Sequence, residues 1–322
     1  MNSRFRSSGR ATLAAALVLT VLTLIATRAI TSAPFQAGDI LYTDSFGAVF
    51  SLNPVSRTGA TIASAGNLVR PFGIVLDANN NVFVSDTVAR AIIRIDSATG
   101  LQTVVADGDK LGIPFGIAVD SRGDILVANG QSILRLKAPA GQPTVVSARG
   151  RFGGSGGSPL VVAVAGNGDL IVANVGVASE IVRVNPRNGF QSLLSKGGYL
   201  KQPAGIAING NDIYVTDVAT PDGNFGIGAV IRVDMFTGAQ TLVSYGEYLV
   251  GPVGIAVDNN GQLVVGDPYT INTASPDLYD GGIIRINPAT GEQTLLARGQ
   301  GDYVNPRGIA IVRAAQSGRR GN

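Results

Sequence analysis

The chain has 322 residues, of which 15% are charged and 43 are glycine, with no cysteine, histidine or tryptophan. This composition excludes a helical class, a disulfide-stapled scaffold and any chemistry that needs an imidazole or a thiol, and it suits a turn-rich all-β protein of many short strands. The formal charge of +3 belongs to the N-terminal segment: without Arg4, Arg6, Arg10 and Arg28 the chain carries 21 basic against 22 acidic residues, which leaves no basic surplus for nucleic acid.

Residues 1–29 combine a basic start, an apolar run from Ala11 to Ala26 and the small residue Ala29. That order reads as a secretory signal peptide cleaved after Ala29, or as an uncleaved signal anchor, and it places the protein in the secreted, periplasmic or cell-envelope space. Residues 30–37 read as a linker and the polar stretch 313–322 as a disordered tail.

Between them one phrase recurs: PFGIVLD at 71–77, PFGIAVD at 114–120, SPLVVAVA at 158–165, PAGIAIN at 203–209, PVGIAVD at 252–258 and PRGIAIV at 306–312. A unit copied at near-constant spacing sets the fold. In the first full copy, Phe72–Asp77, Val82–Asp86, Ala91–Asp96 and Leu101–Ala106 read as strands a, b, c and d, rich in Val and Ile. The a–b links (77–81, 120–124, 258–262) and c–d links (96–100, 185–189, 234–238, 287–291) are turns of Asp, Asn and Gly.

The phase of the repeat predicts closure. The chain enters at strand b (Gly38–Asp44), continues through c (Ala48–Asn53) and d (Ala60–Ser64), and ends on an extra strand a (Arg307–Val312) that completes the first unit. An open solenoid would instead want atypical capping repeats. The expected architecture is therefore a six-bladed β-propeller over residues 38–312, four antiparallel strands per blade, closed by its C-terminal strand.

The phrase Pro-x-Gly-Ile-Ala-Val-Asp, with Gly-Asp-Ile-Leu-Val-Ala-Asn at 123–129 and Ile-x-Arg-Val at 181–184, resembles the NHL repeat. Relatives of that type are six-bladed propellers, including gluconolactonase-like, virginiamycin B lyase-like and strictosidine synthase-like proteins. The resemblance implies the fold over nearly all of 38–312 and says little about activity, since that scaffold hosts lyases, lactonases, sensors and interaction modules. The lyase type needs a histidine that this chain lacks. A gluconolactonase-like hydrolase would need a divalent ion, and the acid such enzymes carry at the start of a strand a is missing here.

Strand b ends each time in Asp44, Asp86, Asn129, Asn174, Asp217 or Asp267. Six short oxygen donors on one rim are a candidate Ca2+ site, though a position filled in every blade also suits a repeated turn cap. Strand c carries Arg94, Arg135, Arg183, Arg232 and Arg285, with Ser51 in the first blade. These arginines read as structural staples between blades, paired with the strand b Asp or Asn or with loop carbonyls. GlyArgPheGlyGlySerGlyGly at 150–157 precedes a strand and not a helix, so it is no phosphate cradle.

The irregular segments carry the candidate binding face. The b–c loops 218–228 and 268–282 supply Asp222, Phe225, Tyr269, Asp277, Tyr279 and Asp280. The d–a loops on the same face supply Tyr199, Tyr248, Phe152, Arg70, Lys110, Arg149, Arg151, Lys201, Tyr245, Glu247, Asp302 and Tyr303. Aromatics set among Gly and Asp suit a protein or glycan partner. The reading is an exported, non-catalytic propeller with no catalytic residue assigned; the alternative is a metal-dependent lactonase-like hydrolase using Asp267, Asp217 and Asp280.

Overall fold

Runs of Val, Ile, Leu and Ala punctuated by Asp, Asn and Gly form 24 strands. The computed structural model describes residues 35–108, 111–137, 141–153, 157–176, 179–219, 225–270, 280–298 and 305–314, all within the unit Thr31–Asn322. No helix occurs among the described residues.

The first blade holds β1 (Ile40–Asp44), β2 (Ala48–Leu52) and β3 (Gly59–Ser64), and the second β4 (Pro71–Leu76), β5 (Val82–Asp86), β6 (Ala91–Ile95) and β7 (Gln102–Ala106). The third holds β8 (Pro114–Val119), β9 (Ile125–Asn129), β10 (Ser132–Leu136) and β11 (Thr144–Ala148), and the fourth β12 (Ser158–Val164), β13 (Leu170–Val175), β14 (Glu180–Val184) and β15 (Gln191–Lys196). The fifth holds β16 (Pro203–Asn209), β17 (Asp212–Ala219), β18 (Phe225–Asp234) and β19 (Gln240–Tyr245), and the sixth β20 (Gly254–Val257), β21 (Leu263–Asp267), β22 (Gly282–Ile286) and β23 (Gln293–Arg298). The last strand, β24 (Pro306–Ile311), lies beside β1, so the first sheet runs β24-β1-β2-β3. Six sheets of four antiparallel strands result, and their inner strands touch in a closed cycle, β4, β8, β12, β16, β20, β24 and back to β4. The protein is a six-bladed β-propeller.

Strand b is buried along its whole length in β1, β5, β9 and β21. Neighbouring blades cover both faces of each sheet, so these strands read as nearly unbroken apolar runs. The Pro of the repeated phrase has no N–H to give the ladder, and the register slips there: Pro71 faces Asp86, Pro114 faces Asn129, Pro159 faces Asn174 and Pro203 faces Asp217, each followed by a bulge. The Gly two residues on is where inner strands converge. A Cβ on Gly308 would lie 2.5 Å from the Phe72 carbonyl oxygen, one on Gly73 2.8 Å from that of Phe115, and one on Gly116 2.7 Å from the Val161 Cα. These glycines serve close approach of backbone to backbone, not an unusual φ.

Two sets of polar side chains tie blade to blade, and neither was expected from the sequence. Thr43, one residue before Asp44, accepts the Gly308 N–H at 2.8 Å and donates to the Phe72 carbonyl of the next blade at 2.7 Å. Ser85 does the same between Gly73 N–H (2.9 Å) and Phe115 carbonyl, and Thr216 reaches the Val253 carbonyl at 2.9 Å. At the outer edge, the glutamine that opens strand d grips the preceding blade. Gln240 accepts the Tyr199 N–H at 2.8 Å and donates to Ser195 Oγ at 2.9 Å and the Gly197 carbonyl at 3.1 Å; Ser195 in turn donates to the Gly238 carbonyl at 2.8 Å. Gln191 with Ser147 and Gln293 with Ser244 repeat the arrangement.

Gly308→Ala is expected to destabilise the ring by about 1–3 kcal/mol in urea unfolding through overpacking, whereas Gly166→Ala, where a Cβ meets nothing within 4 Å, leaves the midpoint unchanged. Gln240→Ala removes the outer grip between blades four and five and should cost about 1–2 kcal/mol by the same measurement.

Candidate functional site

The residue after Pro in the repeated phrase, itself followed by Gly in every blade but the fourth, where Val161 stands, varies from blade to blade: Phe72, Phe115, Leu160, Ala204, Val253 and Arg307. The bulge at the Pro and the bare Gly after it bring this residue to the mouth of the central channel. Phe72, Leu160, Ala204, Val253 and Arg307 line a cavity of about 490 Å³, with Gln202 and Tyr269 as its other polar or aromatic contributors. The channel below, sharing Phe72, Ala204, Val253 and Arg307, narrows to a void of about 70 Å³ walled by Ile74, Ile117, Val162, Ile206, Ile255 and Ile309. Phe72 meets Phe115 edge-on at 5.6 Å between ring centroids, and the Arg307 guanidinium sits over the Tyr269 ring at 5.9 Å. Sequence reasoning missed this set because it attended to what the phrase repeats; the one changing letter inside it was the signal.

The strand b rim spends its oxygens on the backbone. Asp86 accepts the N–H groups of Val69 (2.7 Å) and Arg70 (2.8 Å) from the d–a loop and of Val88 and Ala89 from its own b–c turn. Asp217 takes Lys201, Gln202 and Ala219, Asp267 takes Val250, Gly251 and Tyr269, and Asp44 takes Asn305 and Phe46. Asn174 instead donates to the Arg151 carbonyl at 2.8 Å and to Glu180 at 3.3 Å, beside an ion pair of 2.8 Å between the part-exposed Arg151 and the buried Glu180. Asn129 is buried, and its Oδ1 has no hydrogen-bond donor among the described residues. No three acidic side chains gather around a common point among the described residues. Burial pushes Asp44 and Asp217 up from the ordinary carboxylate value and takes Asp267 to about 6, against the pull of their N–H donors. Burial and the Asp44 charge push Tyr42 up to about 12.

The strand c arginines are staples of a different kind from that expected. Their partners lie at the a–b turn of the same blade, in the loop or, for Asp212, at the first residue of strand b, and not on the strand b rim: Arg94 to Asn81 (2.9 Å), Arg135 to Asp120 (3.6 Å) and Asp124 (3.8 Å), Arg183 to Asp169 (3.6 Å), Arg232 to Asp212 (3.9 Å) and Arg285 to Asp258 (3.5 Å). Strand register explains this. Four of the arginines face the second residue of strand b, as Arg94 faces Phe83 and Arg285 faces Val264, and Arg232 faces the third, Tyr214, so all lie beside the turn that precedes the strand. Among the described residues Arg183 alone also reaches the next blade, donating to the Met235 carbonyl.

The loop residues divide. Tyr199, Tyr245 and Tyr269 are solvent-exposed at 37%, 60% and 42%, and Tyr248 is half-buried against the core between the fifth and sixth blades. Asp280 is half-buried. Phe152, expected on the binding face, is a core residue at 1% exposure. It belongs to a repeated turn in which Leu68, Leu111, Phe152, Leu200 and Leu249 each donate their N–H three residues back and bury the side chain between blades. The segment 218–228 is also less of a loop than its length suggests: Ala219 pairs with Phe225, so β17 and β18 extend the hairpin. Asp222, Asp277, Tyr279, Lys110, Asp302 and Tyr303 lie outside the described residues, as does the side chain of Phe225.

No protein-family model matches the chain and no curated protein matches it in sequence, so its likeness to the NHL type rests on the repeat phrase. Among solved structures, a chain from a crystal structure of a nidogen–laminin complex superposes with a TM-score of 0.68 at 16% identity, over 86% of this chain and 99% of that one. At this identity the likeness shows the fold. In all, 1111 solved chains match, so the scaffold by itself selects no activity.

Asp267 gives the site a pH signature. Its folded pKa of about 6 lies above the ordinary 3.8, so the folded state takes up a proton more readily than the unfolded chain, and the carboxyl adds stability as pH falls through 6 that is lost as pH rises through it. The third and fourth blades carry Asn at this position, so Asp267→Asn suits the fold. The difference in melting temperature between wild type and Asp267→Asn should shift in favour of the variant between pH 4 and about 7, and a difference independent of pH would refute the assignment.

Proposed function

We propose that the protein is an exported, non-catalytic β-propeller that binds a protein partner through the face bearing its b–c and d–a loops. The observation that carries this reading is the arrangement of that face. Exposed Tyr199, Tyr245 and Tyr269 stand on strand ends and short turns, the Tyr199 and Tyr269 N–H groups are held by Gln240 and Asp267, and Tyr269 lines a concave apolar mouth. Rigid aromatic rings next to an apolar depression present contact area whose ordering cost has been met by folding. The basic and then apolar segment 1–29 supports export, and the superposable chain from a nidogen–laminin complex supports a protein, in preference to a glycan, as the partner.

A photo-crosslinking residue at Tyr199 or at Tyr269, on different blades of the face, is expected to capture the same protein, identified by mass spectrometry, while one at Phe236 on a c–d turn of the other face captures none. Equal capture from both faces, or different proteins from Tyr199 and Tyr269, rejects the reading.

A further inference from the structure

The cavity at the channel mouth holds a charge with no direct ionic partner among the described residues. Arg307 is the one charged residue among its described lining groups, and the others are Phe72, Leu160, Val175, Ala204, Val253 and similar apolar residues, with Gln202 and Tyr269. Among the described residues the Arg307 guanidinium makes no salt bridge and no hydrogen bond; its contact is the Tyr269 ring. Asp44 and Asp267 feel its charge through space, but their oxygens are held by the N–H groups of Asn305 and Phe46, and of Val250, Gly251 and Tyr269. Nor does the ring need a cation at this position. The other five blades fill it with Phe72, Phe115, Leu160, Ala204 and Val253.

We infer that the channel mouth binds a small amphipathic monoanion, its carboxylate on Arg307 and its apolar body against Phe72, Leu160, Ala204 and Val253. A guanidinium at the edge of an apolar cavity gains most from a charge-assisted pair, because little water competes for it. The cavity of about 490 Å³ is of the size that holds a small organic ligand, roughly 300–1,000 Å³. A single cation, with no second donor cluster among the described lining residues, selects one negative charge over a phosphate ester. The scarcity of polar side chains selects against a sugar, whose hydroxyls would go unpaired. The inference shares the apolar mouth and Tyr269 with the partner-binding reading, but it requires no second protein, so either can fail without the other.

Isothermal titration of the full-length protein with decanoate, and with decanamide as its neutral isostere, tests it. Decanoate is expected to bind at least about tenfold tighter than decanamide, and Arg307→Gln to erase that difference. Arg307→Leu, which installs the kind of side chain the other blades carry, is the second variant should Arg307→Gln unfold by circular dichroism. Ala204→Phe, which fills the cavity with the charge intact, should weaken both ligands by about tenfold or more. Equal affinity for the two ligands, wild-type decanoate binding by the folded Arg307 variants, or no heat at millimolar decanoate overturns the inference. A leucine-terminated peptide that binds where decanoate does not, and loses binding on C-terminal amidation, would assign the pocket to a polypeptide terminus and overturn it equally.

Discussion

Inner strands that come within backbone contact of one another set the terms for everything else in this molecule. Six inner strands converge on one axis, and a side chain on Gly73, Gly116, Gly205, Gly254 or Gly308 would run into the neighbouring blade's main chain. The requirement for Gly fixes where each strand can approach the axis, and the proline two residues earlier breaks the ladder so that the strand bends inward. The residue between them is then pinned at the channel mouth whatever its chemistry. In the fourth blade Val161 replaces the glycine, and it is the neighbour whose Cα crowds Gly116. The ring closes there with the bulk on one side of the junction and the bare backbone on the other.

This constraint separates the two ends of each blade by task. At the a–b and c–d end, acids and arginines pair, and a half-exposed pair such as Arg232 with Asp212 is worth little individually in solvent. At the opposite end, buried carboxylates cap loop N–H groups and leave the rim with few uncommitted polar atoms. Desolvation there costs the carboxylates some of their acidity, which the repeated backbone donors only partly restore. Among the described residues of that end, the rim tyrosines and Arg307 are side chains with no repeated capping duty.

Much of the ring was legible in the residues. The phase of the repeat implied that the final strand completes the first blade, and β24 pairs with β1 as that phase requires. Strand limits fell within a residue or two, because alternation and Asp-Asn-Gly turns are local signals. What escaped was of two kinds. The grip of Gln191, Gln240 and Gln293 on the preceding blade was written in the recurring Gln-Ser/Thr-Leu of strand d but passes between blades, and no local pattern names the partner. Phe152 and the loop leucines escaped because an apolar residue flanked by Gly and Arg looks exposed until the neighbouring sheet is in place. The arginines of strand c were found by pattern, whereas their true partners depend on pairing register, which a list of positions does not contain.

The clasp between the two ends of the chain has a consequence for how the molecule comes into being. Thr43 accepts a hydrogen bond from Gly308, a separation of 265 residues, and carries it on to Phe72. Until the last strand has been synthesised, β1 presents an unpaired inner edge and the convergence at the axis has a gap between the sixth and second blades. Contacts so distant along the chain form late, after most loop-closure entropy has been spent, and an unfilled strand edge invites pairing with another chain in the meantime. A truncation of even a few residues at Pro306–Ile311 would therefore do more than shorten the protein. It would leave a nearly complete ring with an adhesive opening, able to accept a strand from a second copy in place of its own.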